Sequence, residues 1–241
     1  MQKKDWHKFT ARLDIEQDVW NWCDASRVKM RKRFDWRENL LNNPNDLKIF
    51  DKISKMNGRD AKDYMQKILQ KRYRDDSDVI SEYESYLRAE FDAKLVEACE
   101  CIEKTTGKRL IVENFTFLIT TFPRCPYNVS QGLMFFNVIP ISFHPDVVIN
   151  FMHEVLHFQT HYYWERNPRS LMSKLSKEEF YFAKESLTVI LDNELKPLIK
   201  KSDKGYPAHQ EFRKLLHKYW IHYHNFDKLV EYAAKNVKKY I

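Results

Sequence analysis

Apolar positions recur at intervals of three and four along most of the first hundred residues, which is the spacing of one helix face. The longest such segment is 77–107, SDVISEYESYLRAEFDAKLVEACECIEKTTG. Its apolar residues form one stripe: Ile80, Tyr83, Leu87, Phe91, Leu95, Ala98 and Ile102. Glycine readily adopts the left-handed conformation that ends many helices. The pattern therefore predicts a long helix that packs its stripe against a core and ends at Gly107.

Three shorter segments before it have the same helical character: EQDVWNWCDASRVKMRKRF (16–34), NPNDLKIFDKISKM (43–56) and AKDYMQKILQKRY (61–73). Glycine occurs only four times in the 241 residues, so few positions favour the positive φ that many tight turns need. Long helices with few hairpins fit that composition. Residues 1–105 are accordingly predicted to form an N-terminal helical region.

After Gly107 the chain alternates apolar and polar residues and is rich in β-branched and aromatic side chains, as strands are. This holds for 109–122, RLIVENFTFLITTF, and for 132–143, GLMFFNVIPISF. The connector between them, PRCPYNVSQ, contains two prolines, which excludes a two-residue hairpin turn. We predict a small antiparallel sheet with a long connecting loop, in an α+β fold that is mostly α-helical. The second region is expected to be 106–241, and the alternative is that both regions form one compact unit.

A further helical segment, 146–167, contains a histidine pair. It follows Pro145, which suits the first turn of a helix, and it includes the sequence HEVLH. His153 and His157 lie four apart on one face, so both imidazoles can reach one ion beside the helix. Glu154 is rotated by roughly 100° and reaches a ligand of that ion instead. This is the geometry of an HExxH motif, and it favours a metal site over a helix whose histidines are only hydrogen-bonded.

The charge of the chain is positive but well mixed. There are 41 basic and 34 acidic residues, for a net charge of +7, which favours a solvated lysine-rich surface over a nucleic-acid site. The one local excess is RVKMRKRFDWR at 27–37, where six positive charges surround Phe34 and Trp36. Such a stretch can follow a phosphate backbone while an aromatic ring stacks on a base. Contact with nucleic acid through 27–37 therefore remains an alternative.

The cysteines and the apolar runs bear on the cellular compartment. Cys23, Cys99, Cys101 and Cys125 form no CxxC pair, so neither a disulfide framework nor a thiolate zinc site is indicated. The charged N-terminus has no signal-peptide pattern, and no apolar run has the length of a membrane span. The expectation is a cytoplasmic protein with reduced thiols and no membrane segment.

The order of strand, loop and HExxH helix resembles the zincin metallopeptidases over residues 109–195. In the metzincin branch the motif continues as HExxHxxGxxH, but here Thr160 takes the glycine position and Tyr163 the final histidine. The remaining resemblance is to the gluzincin branch, whose third metal ligand is a glutamate on a following helix. This resemblance implies a zincin-like core with a Zn²⁺ site.

The segment 176–197, SKEEFYFAKESLTVILDNELKP, supplies such a helix. It opens with the capping-box pattern of Ser176 and Glu179, and its centre is almost wholly apolar. A carboxylate there is costly unless it is paired or bound to a metal. The resemblance of KESLTVIL to the gluzincin ligand helix implies Glu185 as the third ligand. Two alternatives remain open: Glu185 pairs with a lysine or arginine, or the third ligand is Glu178, Glu179 or Glu194.

Residues that support the ligands are less clear from the pattern. Some gluzincins carry an aspartate four residues after the ligand glutamate to orient a histidine, but here that position is Val189. Thr188 and Asp192 are alternative supporting residues. His161 continues the histidine face by one more turn, and a supporting or substrate-side role is expected for it rather than ligation.

The resemblance implies a zinc metallopeptidase that cleaves peptides or proteins. His153, His157 and Glu185 would hold Zn²⁺, and Glu154 would act as general base. Five residues near the C-terminus are candidate oxyanion donors, although packing on the core is the favoured interpretation of each: His217, Tyr219, His222, Tyr223 and His224. The alternative is a helical binding or regulatory protein with a structural or inactive zincin-like site. Retention of Glu154 favours the enzyme.

Overall fold

The computed structural model describes residues 8–27, 36–138, 146–194, 198 and 203–241. Its α-helices are α1 (Ile15–Ala25), α2 (Pro44–Lys55), α3 (Gly58–Asp75), α4 (Ser77–Thr106), α5 (Val147–His161), α6 (Lys177–Leu187), α7 (Leu191–Glu194), α8 (Gln210–Tyr223) and α9 (Phe226–Asn236). Its strands are β1 (Lys8–Leu13), β2 (Asn114–Thr120), β3 (Tyr127–Asn128) and β4 (Leu133–Asn137). The fold is thus mostly helical with a small sheet, as predicted. The end of the predicted strand 132–143, Pro145 and most of the basic stretch 27–37 lie outside the described residues.

The described residues form two compact units. One takes its residues from Met1–Lys8, Glu90–Asn114 and Asp146–Ile241, and the other from Phe9–Ala89 and Phe115–Pro145. The two units therefore alternate along the chain, whereas the sequence suggested a single boundary near residue 105. We call them the metal unit and the sheet unit, after the candidate ligands and the strands that they contain.

The sheet unit contains a sheet with the strand order β1-β2-β4-β3. The prediction of an antiparallel sheet is wrong for the central pair, because β2 and β4 run parallel, with Phe117 opposite Met134. β3 pairs antiparallel with β4. The physical reason is the connector: parallel neighbours need a crossover connection, and here β3 brings the chain back to the starting end of β2. The sheet is therefore mixed.

The first strand was not predicted. Residues 8–13, KFTARL, were assigned to the helical region, but they form β1. Phe9 stacks on Phe117 of β2 with ring centroids 5.3 Å apart, and Ala11 is buried. Pairing with the sheet thus overrides the weak local pattern. The predicted helix 16–34 is α1 as far as Ala25, and its remainder lies mostly outside the described residues.

The core of the sheet unit lies among α1, α2 and α3. Trp22, Ile53, Met65 and Phe122 are almost completely buried there. A buried carboxylate, Asp18, ties α1 to the end of β2: it accepts hydrogen bonds from the backbone N–H of Thr121 at 3.0 Å and from the hydroxyl of Tyr73 at 2.7 Å. Burial raises the pKa of Asp18, although these donors act to lower it. Hydrogen bonds from α3 and from the residue after β2 therefore satisfy this buried carboxyl group.

The metal unit is built from the second half of α4 with α5, α6, α8 and α9. The long helix 77–107 is confirmed as α4, and Gly107 follows it with φ +68°. Phe91 of α4 packs edge-on against Phe151 of α5 with ring centroids 5.3 Å apart. None of the helices in the described ranges has the length and apolar character needed to cross a bilayer.

Two predicted helices end earlier than their patterns suggested. The helix expected over 146–167 is regular only to His161, and Tyr162–Arg166 form a π-helical turn. The widened turn aims Trp164 at α6, where it stacks on Phe180 with ring centroids 4.2 Å apart. The capping box of Ser176 and Glu179 is confirmed at the start of α6. The helix expected over 176–197 is interrupted by a 3₁₀ turn, Thr188–Ile190. At this turn the hydroxyl of Thr188 accepts a hydrogen bond from Arg213.

Candidate metal centre

The imidazole rings of His153 and His157 lie next to each other on one face of α5. The ring centroids of His153 and His157 are 4.4 Å apart, with an angle of 77° between the rings. His157 is 1% exposed and His153 is half-buried, and most other residues of α5 are also buried. The spacing of four residues therefore produces the paired geometry that the HExxH motif predicted.

The third candidate ligand, Glu185, faces this pair from α6. Its Oε2 atom lies 3.2 Å from Nε2 of His153, and its Oε1 atom lies 3.3 Å from Nε2 of His157. One ligand atom from each of the three residues lies within 4.8 Å of the other two. Two imidazole nitrogens and one carboxylate oxygen at this spacing can hold a metal ion.

The other glutamates that the sequence left open are placed differently. Glu179 caps its own helix, since its Oε2 atom accepts from the backbone N–H of Ser176 at 2.7 Å. Glu178 is exposed in the first turn of α6, and the side chain of Glu194 lies outside the described residues. Among the candidate glutamates whose side chains the structure describes, Glu185 alone clusters with the two histidines.

The alternative that Glu185 pairs with a lysine or arginine also agrees with a contact in the structure. The ammonium of Lys184 contacts Oε1 of Glu185, and Lys184 is 2% exposed. Burial acts to raise the pKa of Glu185, but the charges of Lys184 and His157 and the hydrogen bond with His153 hold it well below its usual value. The carboxylate is therefore ionised, as a metal ligand must be.

Glu154, the residue that the sequence predicts as the base, lies near enough to His153, Glu185 and Lys184 for their charges to act on its carboxyl group. Its Oε2 atom is buried and has no hydrogen-bond partner among the described residues. Burial raises the pKa of Glu154 to about 7, although the neighbouring charges of His153 and Lys184 act to lower it. An orphaned carboxylate oxygen is costly to bury, and it fits a group such as a water molecule held beside a bound ion.

The two histidines differ in charge. Burial lowers the pKa of His157 to about 3, so this imidazole is neutral near pH 7 and ready to bind a metal. Burial by itself also lowers the pKa of His153, but hydrogen bonds with Asp203 and Glu185 outweigh it and raise the pKa to about 10. Without a metal, His153 is therefore an imidazolium held between two carboxylates.

Sequence reasoning missed Asp203, which orients His153. Its Oδ2 atom lies 3.2 Å from Nδ1 of His153, the nitrogen that faces away from Glu185. Burial acts to raise the pKa of Asp203, but hydrogen bonding and charge from His153 hold it below its usual value. A carboxylate on the far nitrogen fixes the ring and its tautomer. Since Asp203 lies in an irregular segment fifty residues from His153, no helical spacing pointed to it.

The predicted supporting residues contact an arginine rather than a histidine. The hydroxyl of Thr188 accepts from Nη1 of Arg213 at 2.6 Å, and Oδ2 of Asp192 lies 3.5 Å from Nη2 of the same side chain. The imidazole of His161 lies 2.8 Å from Oε1 of Glu165 and packs edge-on against Phe180, with ring centroids 4.8 Å apart. His161 is not one of the three residues whose ligand atoms cluster in the described part of the chain.

The aromatic and histidine residues near the C-terminus mainly contact their own neighbours. Tyr219 stacks on Tyr232 of α9 with ring centroids 4.0 Å apart, and its ring is tilted against that of Tyr223 at a centroid distance of 4.5 Å. His224 lies against Trp220 at 5.6 Å. The favoured interpretation, packing on the core, is wrong for His222, Tyr223 and His224, because these residues are exposed at the C-terminal end of α8. The role of oxyanion donor that the sequence also offered for it stays a prediction.

Comparison with known proteins identifies no related protein. Searches of protein-family models, of curated proteins and of solved structures find no match to this chain.

Proposed function

We propose that the chain is a zinc-dependent metallopeptidase of the gluzincin type. The observation that carries this proposal is the convergence of His153, His157 and Glu185, whose ligand atoms lie within 4.8 Å of one another, beside the orphaned carboxylate oxygen of Glu154. Ligands and base come from two helices of one unit. The HExxH motif and a later helix-borne glutamate predicted these residues, and the clustering of their ligand atoms supports the proposal.

The donor set supports zinc as the metal. Two imidazole nitrogens and one carboxylate oxygen suit a catalytic Zn²⁺ site, in which three protein ligands leave one coordination position open. The nitrogen-rich set is less suited to Mg²⁺ or Ca²⁺, which prefer oxygen ligands. Zinc held by these three residues would supply Lewis acidity towards a carbonyl oxygen and towards water.

The residues of the chain then have distinct roles in amide hydrolysis. The carboxylate of Glu154 takes a proton from the attacking water while the water oxygen bonds to the carbonyl carbon. The same carboxyl returns the proton to the amine as the carbon–nitrogen bond breaks. Asp203 holds the imidazole of His153 in the ligand orientation throughout. A pKa of about 7 for Glu154 is near the value that lets one group accept and then donate a proton at neutral pH.

A second candidate function is favoured by one observation. The contacts of Lys184 with Glu185 and of His153 with both Glu185 and Asp203 form an ionic network that is balanced without a metal. Such a network also suits a helical binding or regulatory protein whose zincin-like site is structural or inactive. Nucleic-acid contact through 27–37 remains a further prediction, since most of that stretch lies outside the described residues.

We expect metal removal to separate the two functions. Treatment with a chelator is expected to abolish cleavage of a denatured-protein or peptide library, and added Zn²⁺ is expected to restore it, because the Lewis acid is lost and regained. The measurement is product formation by mass spectrometry before chelation, after chelation and after zinc is added. His157→Ala, taken through the same steps, serves as the control and is expected to stay inactive. Cleavage that persists in the chelated protein would rule out a metal-dependent peptidase.

A further inference from the structure

The helix that carries Glu185 is interrupted directly after it, and a buried arginine lies at the interruption. The backbone carbonyl of Glu185 accepts a hydrogen bond from Nη1 of Arg213 at 3.2 Å. The same nitrogen donates to the hydroxyl of Thr188 at 2.6 Å. The 3₁₀ turn at Thr188–Ile190 frees a carbonyl that a continuous α-helix would use. Arg213 therefore fixes the end of the helical turn that holds Glu185.

The same guanidinium also holds the segment that orients His153. Nη1 and Nη2 of Arg213 both lie 3.5 Å from Oδ2 of Asp203, and Nη2 donates to the backbone carbonyl of Asp203. Asp203 in turn contacts Nδ1 of His153. Arg213 thus supports two of the three candidate ligands without contacting their side chains. It bonds the backbone of Glu185 directly, and it reaches His153 through Asp203.

The guanidinium of Arg213 is buried, and the absence of a side chain at Gly205 leaves room for it. Arg213 is 3% exposed, so its hydrogen bonds are shielded from water. Gly205 lies against it, and a Cβ atom at that position would come within 2.8 Å of three guanidinium atoms. The φ of Gly205 is +59°, which also disfavours any larger residue. The Gly205 backbone N–H donates to Oδ1 of Asp203 at 3.3 Å, which ties this segment to the network.

We propose that Arg213 is a positioning residue that sets the metal affinity of the candidate centre. It does so by holding Glu185 and Asp203, and through Asp203 the ring of His153, in one fixed arrangement. This inference rests on the proposed function, because it concerns affinity for the same metal. A lysine cannot replace the arginine fully, since only the planar fork of a guanidinium can donate to several acceptors at fixed angles.

The test measures zinc affinity and stability separately. Zinc dissociation constants would be determined by competition with a chromophoric chelator for wild type, Arg213→Met, Arg213→Lys and Gly205→Ala. Leu216→Ala serves as the matched control, because Leu216 is completely buried in the same helix but carries no polar group. Thermal unfolding of each metal-free protein records the loss of stability, and the visible spectrum of the Co²⁺-loaded protein reports the ligand geometry.

We expect the dissociation constant of Arg213→Met to rise roughly 10- to 100-fold, as for other residues that orient metal ligands. A smaller rise is expected for Arg213→Lys and Gly205→Ala, each with an altered Co²⁺ spectrum, while Leu216→Ala loses stability at unchanged affinity. Unchanged affinity and spectrum in the Arg213 variants overturn the inference while wild-type zinc binding still supports the proposed function. If the Arg213 variants do not fold, Gly205→Ala is the deciding variant, and unchanged zinc affinity with an unchanged Co²⁺ spectrum overturns the inference. Absence of zinc binding in wild type overturns both.

Discussion

Replacement of Glu154 by glutamine is expected to slow peptide hydrolysis by roughly 10²- to 10⁴-fold, the usual contribution of a general base. Glutamine keeps the size of the side chain but cannot accept the proton of the attacking water. The Oε2 atom of Glu154 is buried and without a hydrogen-bond partner among the described residues, so little structural change is expected. The rate would be measured on the peptides that metal-loaded wild type cleaves.

Two controls accompany this variant. Its zinc content is expected to equal that of wild type, because Glu154 is not among the three candidate ligands. Its metal-free stability is expected to exceed that of wild type above pH 7. The carboxyl has a pKa of about 7 in the fold against 4.5 when exposed, so the stability it contributes is present below pH 4.5 and lost as the pH rises through 7. Cleavage by Glu154→Gln at the wild-type rate would contradict the assignment of the base.

Zinc affinity is expected to rise about tenfold for each pH unit between pH 6 and pH 8, that is, roughly a hundredfold over this range. The reason is His153, whose pKa of about 10 in the metal-free protein means that its Nε2 nitrogen carries a proton which a metal must displace. Isothermal titration in buffers of different ionisation enthalpy would measure both the affinity and the number of protons released. Release of about one proton per zinc is expected near neutral pH.

Asp203→Asn is the matched variant for this pH dependence. It removes a carboxylate that raises the pKa of His153, so both the pH slope and the proton release are expected to fall. The metal-free wild type should also lose stability between pH 6.5 and 10. The raised pKa of His153 contributes stability that is fully present below the unfolded value of 6.5 and is lost as the pH rises through about 10. An affinity that stays constant from pH 6 to pH 8 would show that His153 is not a protonated ligand.

Local patterns were sufficient to predict that the two helices of the candidate centre exist and where they begin, but not where they end. The helical spacing placed His153 and His157 on one face, and the capping box fixed the start of the helix that carries Glu185. Both signals involve residues within four positions of one another. Helix periodicity and caps are properties of neighbouring residues, so no knowledge of the tertiary fold was needed for them.

Features that depend on distant contacts could not be predicted in this way. The interruption at Thr188 has its partner in Arg213, twenty-five residues later, and Asp203 reaches His153 from an irregular segment. The parallel pairing of β2 with β4 depends on the path of the whole connector between them. In each case the decisive contact is set by tertiary packing, which local propensity does not record.

The central claim is that His153, His157 and Glu185 hold one zinc ion. The most direct test is the metal content per chain, by elemental analysis, after purification without added metal and identical dialysis of four proteins. These are wild type, His157→Ala, Glu185→Ala and Glu178→Ala, the last an exposed glutamate of the same helix. We predict about one zinc per chain in wild type and Glu178→Ala, and strong loss in the other two. Wild type without zinc, or Glu185→Ala with a full complement of it, would contradict the account.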